Sequence, residues 1–321
     1  MSDEPILIVH SMDSAARSSV DSGRFPRTLA LYTTVYPGAE RFLGDFFASL
    51  QSQTDQDFDL WVGLDQIDVP AVVAAMGTDP GAIWVQGIPG GSPAQVRQLA
   101  LSKIVTRCDG VVLVDSDDIL HPSRVAAARE ALKRADVAAC ALRLVDAEGE
   151  DMGETFGPSA GLRADDVLPK YNVFGLSNTA YRVDALQECL PIPDTVVAVD
   201  WLLATRAWLC GCTMSFDVEP RMFYRQHLSN ILRVLPPFSE EQVGRETRMA
   251  RDHFRSILSE LSPSTRRDRL TQVMKVAEEV EQFYVHVVQN PELLSDYVES
   301  LELVDLPRVW WASVANPALR M

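Results

Sequence analysis

What the chain lacks narrows it first. No apolar run approaches the roughly 18 residues that a membrane-crossing helix needs, so no transmembrane segment is expected. The start, Met1-Ser2-Asp3-Glu4, has neither the basic residues nor the apolar stretch of a secretory leader, and a cytoplasmic location is the expectation. Cysteine is scarce: Cys108, Cys140, Cys189, Cys210 and Cys212 are odd in number and lie mostly inside apolar segments. That fits reduced core thiols and argues against a disulfide framework. Cys210-Gly211-Cys212 has neither redox nor zinc-finger spacing. Positive charge is the minority sign, with 29 Lys and Arg against 45 Asp and Glu. The resulting net charge of −16 argues against nucleic acid or an anionic membrane as the main partner, yet leaves room for a local basic pocket. No Gly-rich loop closes on Lys-Ser or Lys-Thr, which removes P-loop nucleotide hydrolysis. Internal repeats and low-complexity tracts are absent as well.

What is present is an ordinary globular composition over 321 residues, 47% hydrophobic and 23% charged. That length holds one large α/β domain with an appendage, or two modest domains. The most informative stretch is Val111-Val112-Leu113-Val114-Asp115-Ser116-Asp117-Asp118. Four apolar residues read as a strand buried on both faces. Three carboxylates then follow that no core tolerates unpaired. The strand is therefore expected to end there and present the acids to a cleft, since clefts in open α/β sheets lie outside the carboxyl ends of the strands. Converging carboxylates suit a hard divalent cation. The competing reading is that Asp117 or Asp118 merely caps the helix after His121-Pro122-Ser123.

Strands and helices alternate on either side of this stretch. Thr28–Thr34, Phe58–Leu64 and Ala82–Val85 read as strands, and Val69–Met76 reads as a short helix closed by Gly77. Ser92-Pro93-Ala94-Gln95 is a capping box with proline at the first helical position. Such alternation implies βαβ units and a mostly parallel sheet flanked by helices. Ser123–Ala135 is a further helix and Ala138–Val145 a strand. Met152–Tyr171 is expected to be a loop-rich excursion, and Gly175–Tyr181 is small and polar. Val196-Val197-Ala198-Val199 is read as another apolar run stopping at a carboxylate, Asp200, ahead of a helix with Trp201 and Trp208 on its core face. Thr213–Val218 is a strand and Tyr224–Asn230 a donor-rich polar segment. Composition changes at Pro236-Pro237, after which Ser239-Glu240-Glu241-Gln242 opens a helix and a second runs over about 265–288. Three parts are expected: an N-terminal arm or edge segment over 1–27, a catalytic domain over 28–235, and a C-terminal helical extension over 236–321. The extension is expected to pack on the core or to mediate homo-oligomer formation, with Trp310-Trp311 as a packing anchor or oligomer contact.

Asp65, the 115–118 cluster and Asp200 are thus each expected at a strand end on one edge of a parallel sheet. In this order and spacing, together with Arg97, Ser49-Leu50-Gln51-Ser52-Gln53-Thr54 and Tyr224-Arg225-Gln226-His227 followed by Asn230, the chain resembles the family 2 glycosyltransferases over roughly residues 28–235. The resemblance implies the GT-A fold and an inverting, metal-assisted sugar transfer from a nucleotide-sugar donor, with a UDP-sugar the expected form. It implies that Asp65 holds the nucleotide base, that Arg97 lies near the nucleotide or its phosphates, and that Asp115 reaches the ribose. It implies Asp117 as a ligand of Mn²⁺ or Mg²⁺ with His227 a further one, Asp200 as the general base, and Arg225 beside the diphosphate. Asp118 is left as a supporter on the helix side. The acceptor, whether saccharide, lipid-linked or protein, is unspecified. Where the family carries a pair of acids after its second strand, this chain has only one, in Leu64-Asp65-Gln66.

Two other readings compete. A GT-A-like binding or scaffolding protein without turnover keeps the fold and loses the chemistry. A haloacid-dehalogenase-type phosphatase shares the Asp-x-Asp run, but it wants threonine where Ile119 stands and normally opens its fold with that motif.

Overall fold

The structure, a computed structural model, describes residues 7–9, 28–158, 163–227, 230, 232 and 234–319. The strands in chain order are β1 (Leu7–Val9), β2 (Leu29–Val35), β3 (Asp59–Leu64), β4 (Ile83–Gln86) and β5 (Gly110–Leu113). They continue with β6 (Ile119–Leu120), β7 (Val137–Val145), β8 (Asp151–Phe156), β9 (Thr179–Arg182) and β10 (Met214–Arg225). The sheet order is β1-β10-β7-β9-β5-β2-β3-β4, with β6 on β10 and β8 on β7. β2 pairs in parallel with β3 and β5, β3 with β4, and β7 with β10. β9 runs antiparallel between β5 and β7, so those two strands also point the same way. Six strands share one direction, and their carboxyl ends share one edge of a mostly parallel sheet. β2 and β5 are buried along their whole length, which is why they read as apolar runs and not as alternation.

The helices are α1 (Leu43–Gln51), α2 (Val69–Met76), α3 (Pro93–Ile104), α4 (Arg124–Ala131) and α5 (Ala164–Val167). After them come α6 (Val183–Cys189), α7 (Val199–Leu209), α8 (Glu240–Ser259), α9 (Arg267–Phe283) and α10 (Pro291–Leu301). The capping box of α3 forms as expected: Ser92 accepts from the Gln95 amide, and Gln95 reaches back to the Ser92 amide at 2.9 Å. α2 opens on Asp68 and closes on Gly77 in the left-handed region. The Ser239 hydroxyl caps α8 by accepting from the Gln242 amide.

The C-terminal helices do not stand apart from the sheet. Phe254 and Ile257 of α8, Val273 and Val280 of α9, and Trp310 and Trp311 belong to the same apolar core as the strands. A satellite cluster around Val243, Leu294 and Tyr297 ties α8 to α10. Trp201 of α7 is the hinge of this packing, stacked on His253 at 3.9 Å and on Trp311 at 4.6 Å.

Several local expectations are corrected. Residues 152–171 are not all loop: β8 pairs antiparallel with β7, and α5 follows. β8 is largely exposed and polar, so it carries no apolar period to read. Val196–Ala198 is irregular backbone and not a strand; the apolar run ends inside the first turn of α7, where Asp200 sits. An acid is favoured there by the partial positive charge of the helix start. β10 continues through Pro220, where the ladder shifts register, as far as Arg225. Pro220 has no N–H to give the ladder, and its presence made the strand read as ending early. α10 was not anticipated, although Asn290 and Pro291 form its cap and first position. In the N-terminal arm, Leu7–Val9 does form an edge strand against Phe216–Met214; residues 1–6 and 10–27 lie outside the described residues, as do 228 and 229 of the polar segment.

Candidate active site

The turn after β5 is built by burial of one acid and presentation of the next. Asp118 is only 1% exposed. Its Oδ1 accepts from the Arg225 amide at 2.7 Å, and its Oδ2 accepts from the Ser177 hydroxyl. It is a strut between this turn, β10 and the segment before β9, rather than a support on the helix side. Burial, then the charges of Asp117 and Asp115, push its carboxyl well above the ordinary range. Asp115 is half-buried, and Ser177 touches both its amide (3.2 Å) and its Oδ2 (3.3 Å). Burial and the adjacent Asp117 raise Asp115 to about 7, against the pull of Arg97. Asp117 turns the other way. Its Oδ2 accepts from the Tyr36 hydroxyl at 3.1 Å and lies 3.0 Å from Nε2 of His227. The imidazole is stacked on Phe42 with ring centroids 5.0 Å apart.

Asp200 lies in the first turn of α7, with its Oδ2 accepting from Nδ2 of the fully buried Asn172 at 2.9 Å. Its carboxyl is raised to about 6 by burial, and is held from rising further by the Trp201 amide, Arg97 and Asn172. Arg97 is half-buried on α3, and its charge acts on both Asp115 and Asp200. Asp65 follows β3 directly and is buried, its amide donating to Val35 O at 2.9 Å. Tyr32, inside β2, feels Arg97, Asp115 and Asp65 together. The fold therefore gathers Asp65, Arg97, Asp115 and Asp200 around one end of β2, with Asp117 and His227 meeting alongside.

Arg225 is placed differently from the expectation that it faces a diphosphate. It is 1% exposed and every guanidinium nitrogen has a protein acceptor. Nε donates to Asp117 O and Nη1 to Ala147 O, both at 2.8 Å, and Nη2 pairs with Asp45 at 2.9 Å. Its guanidinium also lies 4.8 Å from the Phe42 ring centroid. Arg225 clamps the backbone that carries Asp117; it is not a free anion donor.

Sequence reasoning missed Tyr36, Asn172 and Ser177. The signal for the last two was faint: a polar run in a segment otherwise destined for the core, where a buried amide or hydroxyl must have a partner. Trp201 and Trp208 are buried, as their core reading required.

Among the described residues, no three His, Cys, Asp or Glu side chains converge as a metal cluster. Asp117 and His227 provide two donors. Such a pair does not fit a resident ion fully caged by protein, but fits a divalent cation that brings diphosphate oxygens and waters as its other ligands.

No protein-family model matches the chain, and no curated protein matches its sequence. Solved structures do match. TarS of S. aureus aligns with 81% of this chain at 15% identity and a TM-score of 0.55; the match spans 44% of that chain, less than half its length. S. aureus TarS 1-349 in complex with UDP-GlcNAc covers 82% of this chain and 74% of its own, at 15% identity and a TM-score of 0.55. The mannosyltransferase PcManGT from Pyrobaculum calidifontis, in complex with GDP-Man and Mn²⁺, covers 90% and 79% at 15% identity and a TM-score of 0.50. Identity at this level speaks to architecture, and the architecture is consistent: this chain has a glycosyltransferase fold.

Proposed function

We propose that the protein transfers a sugar from a nucleoside-diphosphate donor to a hydroxyl acceptor, with inversion at the anomeric carbon. The observation that carries this reading is that Asp200, Asp115 and Arg97 lie close enough for Arg97 to act on both carboxyls and for Asp200 to act on Asp115, beside the Asp117–His227 contact. Direct displacement needs an incoming oxygen on one side of the anomeric carbon and a departing diphosphate on the other. Asp200, with a carboxyl at about 6, is ionised near neutrality and poised to take the acceptor proton. As the acceptor oxygen–carbon bond forms, the carbon–oxygen bond to the diphosphate breaks, and the nucleoside diphosphate leaves with both electrons of that bond.

Asp65 is assigned to the base, Asp115 to the ribose, and Arg97 to the phosphates by charge-assisted hydrogen bonding. Asp117 and His227 would hold a divalent cation, which when bound supplies Lewis-acid stabilisation of the charge growing on the leaving group. Arg225 keeps Asp117 in place from behind. The structures of TarS with UDP-GlcNAc and of PcManGT with GDP-Man and Mn²⁺ support a nucleotide-sugar donor and a metal of this kind.

The test is a thermal-shift panel of nucleotide sugars with and without Mn²⁺, since a ligand that binds only the folded state raises stability with its concentration over Kd. A base-selective, metal-dependent rise is the expected result; no rise with any donor would sink the reading. Transfer or donor hydrolysis that survives Asp200→Asn unchanged would remove the base assignment alone.

A further inference from the structure

We infer that Asn172 is the positioning residue of the general base, and that residues 309–316 form the strap that holds Asn172 in place. The inference rests on the reading of Asp200 as that base.

Asn172 is 0% exposed, and its amide orientation is fixed by chemistry. The Phe174 amide can only donate, and it meets Oδ1 of Asn172 at 2.9 Å. The NH₂ end must therefore point the other way, at Oδ2 of Asp200, 2.9 Å distant. A neutral donor on one carboxylate oxygen favours the ionised form and fixes the plane of the group.

Asn172 is in turn fastened by the C-terminal segment. Its amide donates to Trp310 O at 3.3 Å, and the Trp310 amide donates back to Asn172 O at 3.0 Å. The Trp310 ring packs on Phe156 at 4.5 Å and lies over Gly175, where an added Cβ would fall 2.5 Å from the ring. The adjoining Trp311 stacks on Trp201, the residue that follows Asp200 in the chain. The strap is anchored at its far end, where the Tyr297 hydroxyl donates to Ser313 O at 2.8 Å and accepts from the Asn316 amide at 3.0 Å. Consecutive tryptophans thus grip the base from two sides, one through Asn172 and one through its own helix.

The groups acting on Asp200 from neighbouring elements are Arg97 of α3 and Asp115 after β5, and Asp200 in turn acts on Tyr181 of β9. All three stay intact in the test variants. Asn172→Ala removes the donor. Gly175→Ala leaves both side chains unchanged and displaces Trp310, so it tests the strap even where the first variant fails to fold. In the ¹³C-labelled full chain, the titration of the Asp200 carboxyl is followed by NMR. The expected result is an upward shift of its midpoint by about half a unit to one unit in both variants. The acid limb of kcat/KM should move with it, kcat should fall roughly tenfold, and the Kd for UDP-sugar with Mn²⁺ should stay within about twofold. A folded variant whose Asp200 titrates as in the parent, with kcat unchanged, overturns the inference. The carboxyl titration reads the Asn172–Asp200 link whether or not Asp200 is the base. Undiminished transfer in Asp200→Asn therefore defeats the base assignment separately.

Discussion

Nε2 of His227 lies 3.0 Å from Oδ2 of Asp117, which joins the chain just past β10 to the turn just past β5. Two donors from distant parts of the sequence meet at one point only because β5 and β10 both run towards the same sheet edge. Two donors alone hold a cation weakly. Mn²⁺ by itself should give little thermal shift, and Mn²⁺ with a nucleoside diphosphate should give a large one. His227→Ala should weaken metal-dependent nucleotide binding at least about tenfold, read by calorimetric titration, while metal-free nucleotide binding changes much less. Equal loss with and without metal would remove His227 from the metal set.

The pH dependence follows from Asp200. Its folded carboxyl is raised to about 6, and in the general-base part proposed for it the group must be ionised to work. Turnover at saturating substrate should therefore rise with pH up to about 6 and level above it, falling close to tenfold per unit below the midpoint. Asp200→Asn should abolish that limb and lower kcat by about 10²–10⁴-fold. A profile flat from pH 5 to 8 in the parent would contradict the assignment.

Arg225 and Asp45 form an ion pair with unequal burial, the arginine 1% exposed at its side chain and the aspartate 57%. Removing the arginine strands the carbonyls of Asp117 and Ala147 as well as the pair. Arg225→Met should cost about 3 kcal/mol in urea denaturation and depress metal-dependent activity through Asp117. Asp45→Asn keeps an acceptor for the guanidinium at a wet position and should cost under about 1 kcal/mol. Equal costs for the two variants would mean that Arg225 is not the clamp described.

Asp118 offers a stabilising substitution. Its carboxyl is raised in the folded state by burial and by Asp117 and Asp115. Between the unfolded value near 4 and the folded one, the native protein binds the extra proton, so stability falls as pH rises through that window. Asp118→Asn removes the charge while keeping an acceptor for the Arg225 amide. The variant should melt higher than the parent at pH 8, by about 2 °C, with the advantage shrinking towards pH 4. A lower melting temperature at pH 8 would show that the ionised carboxylate is needed for the strut.

Much of this was legible because burial and chemistry coincide in the chain. Val111–Val114 announces a central strand, and the acids after it have nowhere to go but the cleft. Asp65 was legible for the same reason. Asp200 does lie near Asp115 and Arg97, but by a different local structure from the one expected, since four β-branched and small residues ahead of an acid look alike whether they end a strand or enter a helix. Arg225 was misread because side-chain charge is visible in sequence and burial is not: nothing local tells that Asp45, 180 positions away, will take its Nη2. Asn172 and Ser177 were only faintly legible as site residues for a related reason. Their partners, Trp310 and the Asp115–Asp118 turn, are distant in sequence, and only the sheet order brings them near.

The stack of Trp311 on Trp201 sets a schedule for biosynthesis. The helix bearing Asp200 is translated more than 100 residues before the ring that covers its first turn. A ribosome that has delivered everything through α9 has still not delivered Trp310 and Trp311. Until it does, Asn172 has no backbone partner at Trp310 and one face of Trp201 lacks its cover. Nascent chains should therefore form the sheet before the surroundings of Asp200 are complete, and products that stop short of residue 310 should lack the proposed activity even where the sheet has formed. Assembly of the pocket around Asp200 thus waits, in this chain, on two adjacent indole rings.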